Sequence, residues 1–471
     1  MKGPFPVVLM MTVLCAALLW VTSSPAAATE VDQSVTDRIR QLEAETQRLR
    51  AEVRSLRGDL VRLPEVTGTP VAMPGSMVAA EVEPADHFTW QELQTEMKKL
   101  AWTKGDFRIV PYGFLWANMV YETERTNLGD YTLWAISPDD EGEDAFHVVG
   151  KSTRLGIDVA GPRLRCFRCA PSGGKVEIDF QGDFAIENKP GVLLRHAYWE
   201  IKDRNFRLVA GQTWDVISPL YPGTIMYSVY WGAGNIGYRR PQFRAERYLA
   251  FSDTALLTLQ GSINTDASSD FTTGRVQNGD HGGWPLLEGR TAMTLGRRGK
   301  HCRPITVGTS GHIGEVIIDF TDPPRDDAAI RTWSFNVDLH IPITDRLGFQ
   351  GEFFTGENLS TFLGGIVQGI DVPGQRAIRS TGGWLELWYD WTSDLHTHVG
   401  YTIDDPENND VTADPPSGNG RLYNHAYWGN IVYDVTDKFT VGFEVGSWKT
   451  LFANKRPGEA VRFEFMAKYG F

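Results

Sequence analysis

The chain has 471 residues, a formal charge of −13, 42% hydrophobic and 11% aromatic residues. That length holds one large domain with appendages, and the acidic balance argues against a nucleic-acid partner. Beyond the first 30 residues no apolar run approaches the ~18 residues of a spanning helix, which excludes a helical membrane span but not a barrel, whose strands turn only half their residues to lipid.

Residues 1–28 read as a secretory signal peptide. Lys2 precedes an apolar stretch from Val7 to Val21, and Ala26 and Ala28 fit an A-x-A cleavage site. Leu14 stands where a lipoprotein box before Cys15 needs a small residue, so no lipid anchor is expected. Cys166, Cys169 and Cys302 remain, an odd count and a poor disulfide framework.

Residues 29–63 predict a periplasmic α-helical coiled coil. Val35, Ile39, Leu42, Thr46, Leu49, Val53, Leu56, Leu60 and Leu63 follow each other at alternating steps of four and three. That is a heptad seam which a lone helix cannot bury, and Pro64 ends it. Ile39 and Val53 at a, with Leu42, Leu49 and Leu56 at d, suit a two-stranded coil. Against that, Arg38-Ile39-Arg40-Gln41-Leu42-Glu43 resembles the R-h-x-x-h-E pattern of short trimeric coils, and a homotrimer is the expectation. Residues 64–104 are a linker and a short helix. The linker is Pro, Gly, Val and Ala without period, and Thr89-Trp90-Gln91-Glu92 reads as a capping box.

From residue 105 to the end the chain predicts strands. Alternating runs number about sixteen. Val176, Ile178 and Phe180 alternate with Glu177, Asp179 and Gln181; Trp333 to Ile341 alternate with Ser334, Asn336, Asp338 and His340; Phe439 to Val445 alternate with Thr440, Gly442 and Glu444. The connections alternate as well. Tight polar turns such as Lys202-Asp203-Arg204-Asn205, Thr344-Asp345-Arg346, Thr392-Ser393-Asp394 and Thr436-Asp437-Lys438 are interleaved with long loops at 214–240, 265–287, 357–378 and 405–420. A sandwich has no reason for this rhythm, whereas an outer-membrane barrel has short periplasmic turns and long external loops. The last eleven residues, Val461 to Phe471, alternate apolar and polar and end on Phe, which resembles the C-terminal signature of bacterial outer-membrane proteins. The expected fold is therefore all-β: a transmembrane antiparallel barrel of about sixteen strands, wide enough for a water-filled channel, preceded by the coiled coil.

Leu194-Arg195-His196-Ala197-Tyr198-Trp199-Glu200, Leu208 to Trp214, and Arg239-Arg240-Pro241-Gln242-Phe243-Arg244 resemble the DcaP-like outer-membrane porins, as do Ser152 to Ile157 and Glu177 to Phe180. The matching motifs span about 150–245. The resemblance implies a trimeric barrel with a periplasmic coil, and passive passage of small, often anionic, solutes through an arginine-lined constriction. The loop 214–240 lies between the fifth and sixth strands, where general porins fold their constriction loop inward.

Arg239, Arg240, Arg244 and Arg247 crowd the segment that leaves this loop. Guanidinium groups hold carboxylates in a fork and stay charged. Facing Glu177, Asp179 and Asp183, they would set a transverse field across a pore. The bland alternative is local pairing, with Glu246 for instance. Tyr221, Tyr227, Tyr230 and Trp231 either line a path or pack the loop on the wall. Cys166-x-x-Cys169 with His301 and Cys302 has zinc-like ligand types, but the two turns are about six strands apart, and a local Cys166–Cys169 disulfide is the better reading. Asp404 to Asp410 reads as a solvated acidic loop, and His396 and His398 as luminal polar residues. Neither a cofactor nor a metal is expected, and no nucleophile constellation is visible.

The expected function is thus an outer-membrane porin passing small hydrophilic solutes, anionic ones among them, in contact with lipid bilayer and lipopolysaccharide. The alternative is a structural barrel anchoring a periplasmic coiled-coil tether; an outer-membrane lipase or protease, or an adhesin, would be a further rival.

Overall fold

The computed structural model describes residues 102–471 apart from 128, 141, 183–188, 266–275, 280–283, 299–301, 321–327, 372 and 413–419. The predicted signal peptide, the coiled-coil residues Ile39, Leu42, Leu49, Val53 and Leu56, the capping-box helix, Asp183 and His301 lie outside the described residues. No helix among the described residues is long and apolar enough to cross a membrane.

Sixteen antiparallel strands close into one barrel. They are β1 (Phe107–Glu122), β2 (Ala145–Val149 and Arg154–Leu164), β3 (Ala170–Asp179), β4 (Leu193–Lys202), β5 (Phe206–Trp214), β6 (Arg239–Ser252), β7 (Ala255–Asn264) and β8 (Leu286–Leu295). The second half holds β9 (Ile305–Phe320), β10 (Ala328–Pro342), β11 (Leu347–Glu357), β12 (Arg379–Asp390), β13 (Leu395–Pro406), β14 (Arg421–Thr436), β15 (Phe439–Phe452) and β16 (Gly458–Gly470). Both pieces of β2 pair with β1, and the short strands Trp102–Lys104 and Val276–Gly279 extend the same sheet. Neighbours in sequence are neighbours in space, and β16 returns to β1 in register from Phe114↔Gly470 to Glu122↔Arg462. The terminal Phe471 exchanges backbone hydrogen bonds with Gly113, so no strand edge is left at the seam.

Alternation sorts the residues as the sequence predicts. Phe335, Phe353, Leu387, Val399, Ile431 and Phe465 face outward and are exposed, while Asn336, Glu352, Glu386, Thr402, Asn430 and Glu464 face inward and are buried. An apolar exterior around a polar interior is the inverse of a water-soluble barrel and matches a lipid-facing one.

The turns at one end are tight and share a device. The Oγ1 atoms of Thr344, Thr392 and Thr436 each accept the N–H groups two and three residues on, at 2.9–3.2 Å. Asp203 Oδ1 does the same for Asn205 and Phe206. A side-chain acceptor at the first turn residue satisfies the donors that the ladder leaves behind. The eight connections at the other end are mostly longer: L1 (123–144), L2 (180–192), L3 (215–238), L4 (265–285), L5 (321–327), L6 (358–378), L7 (407–420) and L8 (453–457).

Candidate pore constriction

L3 folds into the barrel. Its neck is closed by Asp215, whose N–H donates to Tyr238 O at 2.8 Å and whose Oδ2 accepts the Tyr238 N–H at 2.8 Å. From there the loop runs along the inner wall from carboxylate to carboxylate. Val216 N–H donates to Glu288 (2.6 Å), Leu220 N–H to Glu352 (2.8 Å), Gly223 N–H to Glu386 (2.6 Å) and Ile225 N–H to Glu444 (3.1 Å). These glutamates stand on β8, β11, β12 and β15 and point inward. Irregular backbone buried in a barrel must find partners for its N–H groups, and charged acceptors make the strongest ones.

The tip of L3 is fixed by aromatic stacking. Tyr230 lies between Trp428 (4.4 Å between centroids) and Trp448 (5.2 Å), and its hydroxyl donates to Glu444 at 3.0 Å. Gly234, at φ 129°, lies so close to β12 and β13 that a Cβ there would stand 2.3 Å from Gly383 O and 2.5 Å from Ile403 O; only glycine fits that approach.

L1 and L6 fold inward beside it. Ser228 Oγ donates to Thr132 O, and Gly232 N–H to Leu363 O at 2.8 Å. Tyr131, Leu133, Tyr227, Trp231, Leu363 and Val367 form one buried cluster drawn from all three loops. The inward course of L6 was not legible in the sequence, where 357–378 read as an external loop.

Open luminal space lies along β2–β6. A cavity of about 540 Å³ is lined there by Arg154, Lys175, Arg195, Arg207 and Arg244, with Glu177 and the rings of Trp116, Tyr198, Trp214, Tyr221, Tyr227 and Trp231. Each of these five cations has a carboxylate partner. Arg195 bonds Glu177 (2.7 Å) and Asp179 (2.9 Å), Arg154 lies 3.5 Å from Glu177, and Lys175 2.9 Å from Asp158. Arg207 bonds Glu200 (2.5 Å) and reaches Glu246 at 3.4 Å, which Arg244 also approaches at 3.4 Å. Tyr227 of L3 joins this network, donating to Asp179 at 2.7 Å and accepting from Arg154 and Arg195 at 3.0 Å each.

The sequence-predicted residues divide three ways. Arg244, Glu177 and Asp179 belong to this cluster, although both carboxylates are spent on Arg195 rather than facing Arg239 and Arg240 across open space. Arg239 lies against the rings of Trp214 (4.6 Å) and Tyr238 (4.5 Å), 3% exposed, with Nε and Nη1 lacking hydrogen-bond partners and no carboxylate in ion-pair contact among the described residues. Arg240 is turned away from the cavity: it is 0% exposed, forks onto Asp215 (2.7 and 3.1 Å) and covers the Phe362 ring. Register explains the split. Arg240, Gln242, Arg244 and Glu246 share the inner face, but Arg240 meets L6 at the loop end while Arg244 meets the open space further down. Of the loop aromatics, Tyr221, Tyr227 and Trp231 reach the cavity, whereas Tyr230 packs the loop on the wall.

Other readings change. The predicted Cys166–Cys169 disulfide is not formed: all three described cysteines are free and exposed, and the turn is closed by Cys169 N–H to Leu164 O instead. The acidic stretch is not one solvated loop. Asp404 points inward and accepts Ile366 N–H (2.9 Å) and Ser380 Oγ (2.6 Å), and Asp410 is buried against Arg379 (2.7 Å). His396 and His398 are luminal as expected, but His396 sits between Asp390 (3.0 Å) and Asp434 (3.5 Å), and His398 lies 3.3 Å from Glu386. The four loop-holding glutamates escaped the sequence reading. Their signal was an inward glutamate recurring on several strands, visible as Glu386 and Glu444 on polar faces.

No protein-family model and no curated protein matches the chain. Among solved structures it is similar to the outer membrane channel DcaP of Acinetobacter baumannii, at 19% identity over 78% of this chain and 99% of that one, with a TM-score of 0.61. The anion-selective porin from Comamonas acidovorans aligns over 78% of this chain and 100% of that one, at 11% identity and a TM-score of 0.49. Pseudomonas putida OprB aligns over 81% and 97%, at 9% identity and a TM-score of 0.49. This chain therefore has the fold of the DcaP channel, the family that residues 150–245 resemble.

Proposed function

We propose that the protein is an outer-membrane porin: a passive diffusion channel for small hydrophilic solutes, anions preferred, acting as a homotrimer held by the 29–63 coiled coil on the periplasmic side. The single observation that carries the reading is the cavity along β2–β6, walled by five cations and bounded by an inward-folded L3. A lipid-facing barrel that served only as an anchor would have no use for charged, water-accessible walls, because each buried charge costs solvation. The likeness to the DcaP channel supports the same reading.

The charge preference follows from the pairing. The five cations of the wall (Arg154, Lys175, Arg195, Arg207, Arg244) are matched by five carboxylates (Asp158, Glu177, Asp179, Glu200, Glu246), and Arg239, buried against the lining Trp214 ring, adds a sixth cation. Pairing leaves Arg239 as the excess charge. One uncompensated cation beside a narrow low-dielectric passage attracts anions and repels cations.

The test is the reversal potential of the purified mature protein in a planar bilayer across a salt gradient. Anion preference is expected, and Arg239→Gln reduces it severalfold with conductance kept. Cation preference in the native protein hands the selectivity to the carboxylates. Absence of conductance from folded, heat-modifiable protein overturns the channel reading in favour of the anchor.

A further inference from the structure

We propose that L6 is a second constriction element that sets the width of the passage by clamping L3, and that Arg240 and Phe362 are the positioning residues of that clamp. The inference rests on the channel reading above.

The descending leg of L3 is held on the wall by the glutamates and its tip by Trp428 and Trp448, and both legs also pack on L6. Ile217 on the descending leg and Ile236 on the ascending leg are buried in one cluster with Leu359 and Phe362 of L6 and with Leu286 and Phe354 of the wall. Phe362 is 0% exposed and lies between two flat groups: the His312 ring at 4.0 Å and the Arg240 guanidinium at 3.8 Å. Arg240 in turn spans the junction, forking onto Asp215 at the L3 neck and donating to Thr361 O of L6 at 3.2 Å. Gly237 N–H donates to Phe362 O at 2.8 Å. One guanidinium thus fixes the L3 neck, the L6 backbone and the L6 ring together, which a point-charge ammonium cannot do.

L6 is itself pinned in a costly conformation. Asn358, Leu363, Ile366 and Val367 all have positive φ (51–60°), a region that β-branched side chains avoid. Such a backbone persists only where surroundings over-determine it. Here Asp404 accepts the Ile366 N–H, Arg421 Nε donates to Ile366 O at 2.9 Å, and Gln368 Oε1 accepts from Gly420 and Arg421. At the other end Thr332 Oγ1 of β10 donates to Asn358 O at 2.9 Å, so both ends of the strained segment are tied to the wall, and the stretch between them bears on L3. With L6 in place, the cavity beside β2–β6 stays open.

The experiment compares Phe362→Ala, Phe362→Leu, Arg240→Gln and Arg240→Lys in the full chain, each first checked for heat-modifiable folding. Single-channel conductance, ion selectivity and exclusion of neutral polymers of graded size are read in planar bilayers. The clamp predicts at least a twofold rise in conductance and admission of larger polymers for Phe362→Ala and Arg240→Gln. It predicts the same for Arg240→Lys, which keeps the charge but loses the fork, and near-native behaviour for Phe362→Leu, which keeps the bulk. Native conductance and size limit in folded Phe362→Ala and Arg240→Lys overturn the proposal. So does a selectivity change in Arg240→Gln that Arg240→Lys restores, because Arg240 would then act by charge. If the native protein itself conducts nothing, the channel reading fails and takes this inference with it, a result distinct from altered widths among conducting variants.

Discussion

Each residue of this barrel meets one of two solvents, and its tolerance to change follows from which. Val399 lies midway along β13 and faces outward, 57% exposed, beside Leu387 on β12. A charge there meets hydrocarbon, so Val399→Arg is expected to destabilise the folded barrel by about 2–4 kcal/mol. Urea titration of the lipid-reconstituted protein measures this, and a change within ~0.5 kcal/mol would show that this face is not in lipid. On the luminal side the same charge is welcome when paired. Arg195 is 4% exposed and still satisfied by Glu177, Asp179 and Tyr227. Arg239 is the exception, packed by rings but unpaired, and the loss of anion preference in Arg239→Gln is the residue-scale consequence.

At the scale of loops, the energetics lie in a few shared acceptors. Glu444 alone takes the Thr224 hydroxyl, the Ile225 N–H, the Tyr230 hydroxyl and the Asn430 amide. Glu444→Ala strands several buried donors, at about 1–3 kcal/mol for each one left unsatisfied. L3 is then expected to leave the wall intermittently, seen as flickering single-channel current; a quiet native-like trace would mean that Trp428 and Trp448 suffice to hold Tyr230.

The outer loops have a pH dependence of their own. Arg456 joins L8 to L1 by donating its backbone N–H and its guanidinium to Asp139, which holds that carboxyl below the ordinary aspartate value of 3.8. The Arg379 guanidinium does the same for Asp410 in L7. A lowered folded-state pKa means that the stabilisation is complete above the ordinary value and fades as pH falls through the lowered one. Pepsin cleavage within L1, L7 and L8 is therefore expected to rise only below about pH 4. Cleavage that is already rapid at pH 5 would contradict these pairings.

The whole molecule is stabilised by closure. β16 pairs with both β15 and β1, so a chain ending before Gly458 exposes two strand edges within the membrane. Such a truncation is expected to abolish heat-modifiable migration altogether rather than lower stability in proportion. A folded fifteen-strand species would show that the seam is dispensable.

Period-two alternation, the tight turns and the aromatic terminus determined the barrel, its strand number and its handling of two solvents, because those depend on local side-chain direction and on the solvent beyond it. The place of L3 between β5 and β6 was legible for the same reason, since strand counting fixes loop position. The partners of each charge were decided only by tertiary structure. Arg239 and Arg240 are adjacent, yet one ends stacked and unpaired and the other buried on Asp215, because L6, whose Thr361 lies 121 residues further along the chain, folds back against one of them. Loop course inside a barrel depends on which distant strands offer acceptors, as Glu288, Glu352, Glu386 and Glu444 do here, and no local pattern encodes that meeting.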